Sequence, residues 1–353
     1  MNILILTEDY PCENNPYALS YIHTRVSAYI RYGLKCTVLS FRSQRDYVFE
    51  NVSVVSSISN IERFDLVVSH APNLRHHIRF LYFNIESISK LIFWVHGHEV
   101  MNVFSQYPVP YKWAYRQRLS RIAHLFYSPL KLRLLKFFLQ KFCKVSSVHF
   151  VFVSAWMKNV FFSNIFQLPD SCFSVINNPV NPVFTDHSYE FDAAYSPKKG
   201  VCIRPWDNSK YAVDMVVDFF QNNPELKCDI YGRGSFPKRN RTPQNVVFYS
   251  KFLVQSDLSS LISKYDFAVL PTRLDAQGVF ACELATFGIP LIVNDIPIMR
   301  EMLKGFPNVV FIEDADFSKG FDTSRLAPSK FSNNRFFIDN IVRQEIALMQ
   351  DAD

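Results

Sequence analysis

Two carboxylates and a glycine carry the sharpest chemical signal in this chain. Leu270 closes an apolar run, a loop then brings Asp275 and Gly278, and a helical pattern begins near Val279 with Glu283 one turn inside it. Gly278 lets an anion approach the backbone, and the free N–H groups of Val279 and Phe280 lie at the positive end of the helix, which suits a phosphate. Asp275 just ahead of that helix and Glu283 on its first turn are spaced to face one ligand. Carboxylates so placed accept hydrogen bonds from sugar or ribose hydroxyls. A second polar group, His96-Gly97-His98-Glu99, ends the run Phe93-Trp94-Val95. His-x-His reads either as metal ligation or as a loop cap, and one adjacent carboxylate with no other cluster gives the metal little support.

Both groups need strand ends to hold them. Short apolar strands alternate with longer helical patterns along the whole chain, the signature of an α/β protein with parallel sheets. Strands are expected at Ile3–Leu6, Lys35–Ser40, Leu66–Ser69, Leu91–Val95, Val148–Val153 and Ser174–Ile176. The rhythm then repeats at Gly200–Ile203, Lys227–Tyr231, Val246–Phe248, Phe267–Leu270, Pro290–Val293 and Val309–Ile312. Helices are expected at Tyr17–Tyr32, Arg75–Ile85, between Tyr111 and Phe142, and at Trp156–Phe166. The turn-rich Asn177–Pro182 is the natural linker. The layout is two Rossmann-like doubly wound domains, 1–182 and 183–330, with an amphipathic helix in 331–353 free to pack back on the first. In such sheets ligands bind beyond the carboxyl ends of the strands.

The segment from Asp275 to Pro290 resembles the acid-x7-Glu motif of retaining glycosyltransferases of family 4, which have the GT-B fold: Asp275, Gly278, Glu283, Ala285, Gly288 and Pro290 fall at the motif's positions, with Asp where the family usually has Glu. The resemblance extends along most of the chain. Ile203-Arg204 and Lys210 look like the Arg and Lys that clamp the donor diphosphate, at a spacing one residue longer than usual. Gly232 in Tyr231-Gly232-Arg233-Gly234 matches the strand-end Gly-x-Gly near the nucleotide base. Asn178-Pro179-Val180 is similar to the hinge, and Val153–Lys158 to the strand-to-helix entry at the interdomain cleft. His96 aligns with the strand-end His that contacts the donor sugar or reacting centre, and His98 is its substitute. His23 and Arg25, behind the first loop, are expected with His98 and Glu99 on the acceptor side. The family's Gly-Gly pair after the first strand is replaced by Asn14-Asn15, which tolerate left-handed backbone.

The resemblance implies transfer of a sugar from a nucleoside-diphosphate sugar to a glycan or lipid-linked saccharide in bacterial surface polysaccharide synthesis, that is O-antigen, capsule or lipopolysaccharide. No cofactor and no metal is implied. The alternatives are a nucleotide-sugar epimerase of the same fold and a noncatalytic GT-B-like glycan-binding partner. A dinucleotide enzyme is disfavoured because position 237, where a third glycine belongs, is Pro.

Composition limits the remaining readings. In 353 residues, 48% apolar with a net charge of +6, neither disorder nor nucleic-acid binding by bulk charge is indicated. Residues 1–180 hold 19 Lys and Arg against 10 Asp and Glu, and 100–169 contain ten cations and no acid. Within that stretch Lys131, Arg133, Lys136 and Lys141 interleave with Leu and Phe, as on a basic helix that meets an anionic membrane surface; a solvated face of a packed helix is the plain alternative. Seven cysteines without a CxxC pair argue against a disulfide framework, and the N-terminus lacks the basic flank of a signal peptide. A cytoplasmic enzyme, peripheral at the inner face of the membrane, is the expectation.

Overall fold

The computed structural model describes residues 1–15, 18–191, 195–251, 253–330 and 333–351. Pro16 and Tyr17 of the expected first loop and helix, and Phe331 of the expected terminal helix, lie outside the described residues. The chain forms two units. One comprises Met1–Phe104, His124–Pro179 and Phe337–Asp353, the other Ser105–Ala123 and Val180–Phe336.

The first unit is built on eight strands: β1 (Asn2–Thr7), β2 (Lys35–Ser40), β3 (Tyr47–Phe49), β4 (Val52–Val55), β5 (Leu66–His70), β6 (Lys90–Val95), β7 (Ser147–Phe152) and β8 (Phe173–Val175). They lie in the order β3-β4-β2-β1-β5-β6-β7-β8, parallel throughout except for the β3–β4 pair. Ile3, Leu4, Ile5 and Leu6 of β1 are all fully buried, as a parallel strand covered on both faces requires. The unforeseen β3–β4 hairpin turns on Glu50 and Asn51, both at positive φ, as a two-residue hairpin loop demands.

The second unit carries β9 (Lys199–Ile203), β10 (Lys227–Gly232), β11 (Val246–Ser250), β12 (Phe267–Val269), β13 (Leu291–Asn294) and β14 (Val309–Ile312) in the order β11-β10-β9-β12-β13-β14, all parallel. Each sheet thus has a point where the winding reverses, between β1 and β5 in the first and between β9 and β12 in the second. A crevice opens there beyond the carboxyl ends of the strands.

One segment departs from the expected organisation. Residues 105–123, read from the sequence as part of the first domain, belong with the second unit. There Tyr111 OH donates to Asp214 at 2.7 Å, and its ring stacks on Trp113 at 4.6 Å and meets Phe236 edge-on at 5.6 Å. The basic stretch forms one helix, Tyr115–Val145, that continues through Pro129.

The terminal helix, Ile338–Asp351, completes the first core. Its Ile341, Val342 and Met349 pack into the cluster of Ile3, Ile5, Val26, Tyr29 and Trp94. Arg25, expected to face an acceptor, is corrected by the same contact. It is fully buried on the Ser20–Arg31 helix and pairs through Nε with Glu345 Oε1 at 2.7 Å, while Tyr29 OH donates to Oε2 at 2.6 Å. Burial this deep lowers the tendency to stay charged, but the adjacent carboxylate more than offsets it and holds Arg25 protonated. Among the described residues no helix is long and apolar enough to cross a membrane.

Candidate functional site

The second unit's crevice is a cavity of about 400 Å³. Arg204 reaches it from the end of β9, Tyr231, Gly232 and Arg233 from the end of β10, Lys251 and Leu253 from beyond β11, and Phe280 from the helix after β12. Arg204 decides its character. Its side chain is buried at 7% exposure, its guanidinium lies 5.1 Å from the Tyr211 ring centre, and neither Nε nor Nη2 has a hydrogen-bond partner. Arg233 and Lys251 add positive charge, and the described lining has no carboxylate. A buried cation without a counter-ion is costly. An anion in the cavity would supply the missing partner.

The neighbouring backbone is packed tightly against Arg204. Gly232 has φ of 157°, and a Cβ there would lie 1.9 Å from the Arg204 carbonyl oxygen, so no other residue fits. Gly278, at φ of 72°, begins the Val279–Phe287 helix without any side-chain cap. The first N–H groups of that helix, at Val279 and Phe280, therefore have no side chain competing for them.

The two motif acids take different surroundings. Glu283 is buried, accepts the Asn181 N–H at 3.0 Å and is pushed up to about 7 by burial, the Asn181 bond acting the other way. Asp275 is half-buried and accepts the N–H of Ala276 at 2.9 Å, so its carboxylate also braces its own loop. The loop is fixed from the other side by Arg273, which holds Asp214 with both Nη atoms, at 2.9 and 2.6 Å. Lys210 is half-buried; its carbonyl accepts from Arg273 N at 2.8 Å, and its Nζ lies 5.4 Å from the Tyr211 ring. The cavity thus brings together Arg204, Gly232 and Phe280, while Lys210, Asp275, Gly278, Val279 and Glu283 lie in the loops and helix beside it. Arg233, Lys251 and Tyr211 escaped the sequence reading. Their signal was the cation or aromatic one to three residues past a strand end or at the start of a helix.

In the first unit His96 follows β6. Its Nε2 lies 3.1 Å from His70 Nδ1, the Tyr21 ring lies tilted against it at 4.9 Å, and burial holds its ring well below the usual histidine range and hence neutral. Glu99 accepts the N–H groups of His96 and Gly97, which makes it the loop's cap; burial pushes its carboxyl up. His98 is exposed, and its carbonyl accepts from Lys131 Nζ at 2.9 Å. Lys131, expected on a membrane-facing surface, is instead buried under that loop. It also donates to the Met101 carbonyl at 2.9 Å and is pushed down to about 8 by burial. Arg133 and Lys136 are exposed, and Lys141 lies 4.4 Å over the Tyr82 ring. His23 is held by Tyr10 and Glu50, both at 2.9 Å. Asn14 and Asn15 do not adopt left-handed backbone; Leu19 does, at φ of 47°. Among the described residues no three His, Cys, Asp or Glu side chains gather as metal ligands would.

No protein-family model and no curated protein matches the sequence. Solved structures match along almost its whole length. Sucrose-phosphate synthase from Thermosynechococcus elongatus superposes with a TM-score of 0.70 at 12% identity over 99% of this chain and 98% of its own. Anabaena HepE in complex with UDP and glucose gives 0.64 at 12% over 99% and 100%, and the lipopolysaccharide outer core galactosyltransferase WaaB gives 0.61 at 12% over 99% of each. The fold is GT-B. Both parallel sheets of the GT-B architecture are present, and the cavity beside Arg204 lies at the winding reversal of the second.

Proposed function

We propose that the protein is a retaining glycosyltransferase that moves a sugar from a nucleoside-diphosphate sugar to a saccharide or lipid-linked saccharide in bacterial surface polysaccharide synthesis. The observation that carries this reading is the buried Arg204 guanidinium, unpartnered at Nε and Nη2 in a cavity whose described lining is cationic. Arg204, Lys210 and the Val279 and Phe280 amides would hold the diphosphate and stabilise the charge that builds on it as the glycosidic bond breaks. Glu283 would accept from the ribose hydroxyls and Asp275 from the donor sugar, with His96 at the reacting centre. The departing phosphate takes the proton of the acceptor hydroxyl as that oxygen bonds to the anomeric carbon on the same face. In this reading no metal is needed, because the cations and the helix end supply the positive charge. The solved HepE complex with UDP and glucose supports a ligand of this kind on a GT-B scaffold.

Calorimetric titration with UDP, GDP and ADP at pH 6 and pH 8 tests the reading. Glu283 accepts a ribose hydroxyl much more strongly as the anion than as the neutral acid. With its carboxyl at about 7, roughly 10% is ionised at pH 6 and about 90% at pH 8. Affinity for one of the three is therefore expected to rise up to about ninefold across that interval and to lose the rise in Glu283→Gln, which provides the baseline for the ligand's own titrating phosphate. If none of the three binds, or if the two proteins share one pH profile, the assignment fails.

The membrane part of the reading rests on the outer face of the Tyr115–Val145 helix and its neighbour. Phe126 (78% exposed) and Phe137 (61%) stand in solvent on the same helix as the exposed Arg133 and Lys136, and Phe83 (72%) is exposed on the neighbouring helix. Aromatic side chains interleaved with cations are suited to an anionic lipid surface. At about 1 kcal/mol per cation near such a surface, Arg133→Glu with Lys136→Glu is expected to lower co-sedimentation with phosphatidylglycerol vesicles at least tenfold. Unchanged partitioning of the double variant would exclude this face.

A further inference from the structure

Two histidines at adjacent strand ends form a close pair. His70 closes β5 opposite Trp94 of β6, and Ala71 N donates to the Trp94 carbonyl at 2.9 Å. That register sets His70 beside the ring of His96, the first residue beyond β6. Its Nδ1 lies 3.1 Å from His96 Nε2, and the two ring planes are inclined by 28°. His70 is fully buried, whereas His96 is half-buried. Burial holds both rings below the usual histidine range, and the charge of Arg25 acts on each in the same direction. Two neutral imidazoles share one hydrogen in such a contact, so one ring donates and the other accepts.

The surroundings decide which ring donates. Were His96 the donor, the remaining hydrogen of His70 would sit on Nε2, which is enclosed and has no hydrogen-bond partner. The groups acting on that ring are donors as well. The Trp94 ring lies 5.3 Å from it with an unpartnered Nε1–H, and Arg25 keeps its proton with Nη1 unpartnered. A further unpaired N–H among them costs more than a bare lone pair, which their positive ends favour. With His70 donating from Nδ1, its Nε2 carries only that lone pair. His96 then accepts on Nε2, and its own hydrogen goes to Nδ1. That nitrogen is the open side of the ring: none of the described residues bonds it, and it is not enclosed. The rest of His96 is held fast, since Glu99 accepts its backbone N–H and the Tyr21 ring lies against the imidazole.

We infer that His70 is a positioning residue: by donating to His96 Nε2 it fixes His96 in the Nδ1–H form, so that His96 meets a ligand as a hydrogen-bond donor and not as a proton acceptor. That the ligand oxygen belongs to the reacting centre rests on the glycosyltransferase reading above; the tautomer does not. Long-range ¹H–¹⁵N correlation spectra of the full, ligand-free chain, labelled at histidine and recorded at neutral pH, show which nitrogen of each ring carries the hydrogen. The His96 signals are assigned by their loss in His96→Gln. The Nδ1–H form of His96 is expected to exceed the Nε2–H form by about tenfold or more, because the alternative leaves a buried N–H unpaired. His70→Leu, which removes the donor, is expected to abolish that preference. His70→Asn, whose amide N–H takes the place of Nδ1–H, is expected to keep it. A side chain that merely filled space could be replaced by Leu with the tautomer unchanged. A predominant Nε2–H form in the unaltered protein would overturn the inference, as would an Nδ1–H preference undiminished in His70→Leu. Should a variant fail to fold, the spectrum of the unaltered protein decides alone. No nucleotide enters this measurement, so its failure and the failure of the UDP, GDP and ADP titrations are separately visible.

Discussion

Arg204→Ala is expected to lower nucleoside-diphosphate affinity by about 100-fold without lowering the stability of the ligand-free protein. Both halves of that result follow from the same two unpartnered nitrogens. Two charge-assisted hydrogen bonds to a phosphate contribute together about 3 kcal/mol or more, which is about 100-fold in affinity. In the free protein those nitrogens have no partner to lose. Removing a buried cation that lacks a counter-ion relieves its desolvation, so the melting temperature should hold or rise. Calorimetry with UDP and a thermal melt of the apo protein read the two quantities. A variant that binds as the unaltered protein does would mean that the phosphate lies elsewhere. A variant that binds poorly and also melts early would mean that Arg204 is a structural group.

Glu345→Ala is expected to have the largest effect on stability, about 3–5 kcal/mol in the unfolding of the first unit. The carboxylate accepts from Arg25 Nε and Tyr29 OH with no solvent exposure on either side of the ion pair. Its loss strands a buried guanidinium whose Nη1 already lacks a partner. The contrast with Arg204 is instructive. There the counter-charge is to come from a ligand, here it comes from the chain. Urea unfolding followed by far-ultraviolet dichroism measures the loss. Arg25→Met with Glu345→Leu should recover most of it, since an apolar pair of similar volume does not need desolvation to be repaid by geometry. A double variant as unstable as the single one would show that the helix is held by something other than charge.

Most of the sheet framework was legible because parallel strands buried on both faces read as bare apolar runs, and β1, β5 and β6 are of that kind. The hairpin was not. Its turn is Glu50-Asn51 where a sequence reader looks for Asn-Gly, and its first strand has only three residues. Winding order was also hidden, since apolar runs do not say which strand is whose neighbour. For that reason Arg204 and Gly232 could be found through a motif, whereas Arg233 and Lys251 become site residues only once the strand ends are placed side by side. Charge misled in a consistent way. Arg25 was given to an acceptor side and Lys131 to a membrane surface, both of which need an accessible cation. Arg25 is neutralised by a carboxylate 320 positions away, and Lys131 donates to carbonyls of a loop some 30 positions away, partners that no local window contains.

The closure of the first unit by the Ile338–Asp351 helix also bears on how the chain is made. A ribosome delivers the polypeptide from its N-terminus and domains generally fold as they emerge. Here β1 to β8 are all released before the helix that covers Ile3, Ile5 and Tyr29 exists. Until then Arg25 has no counter-ion and that side of the sheet has no lid. The second unit, whose segments end at Phe336, has every residue it needs before the first does. The part synthesised first is therefore the part finished last, and for the whole interval of elongation its apolar face is open to chaperones, to proteases and to other nascent copies.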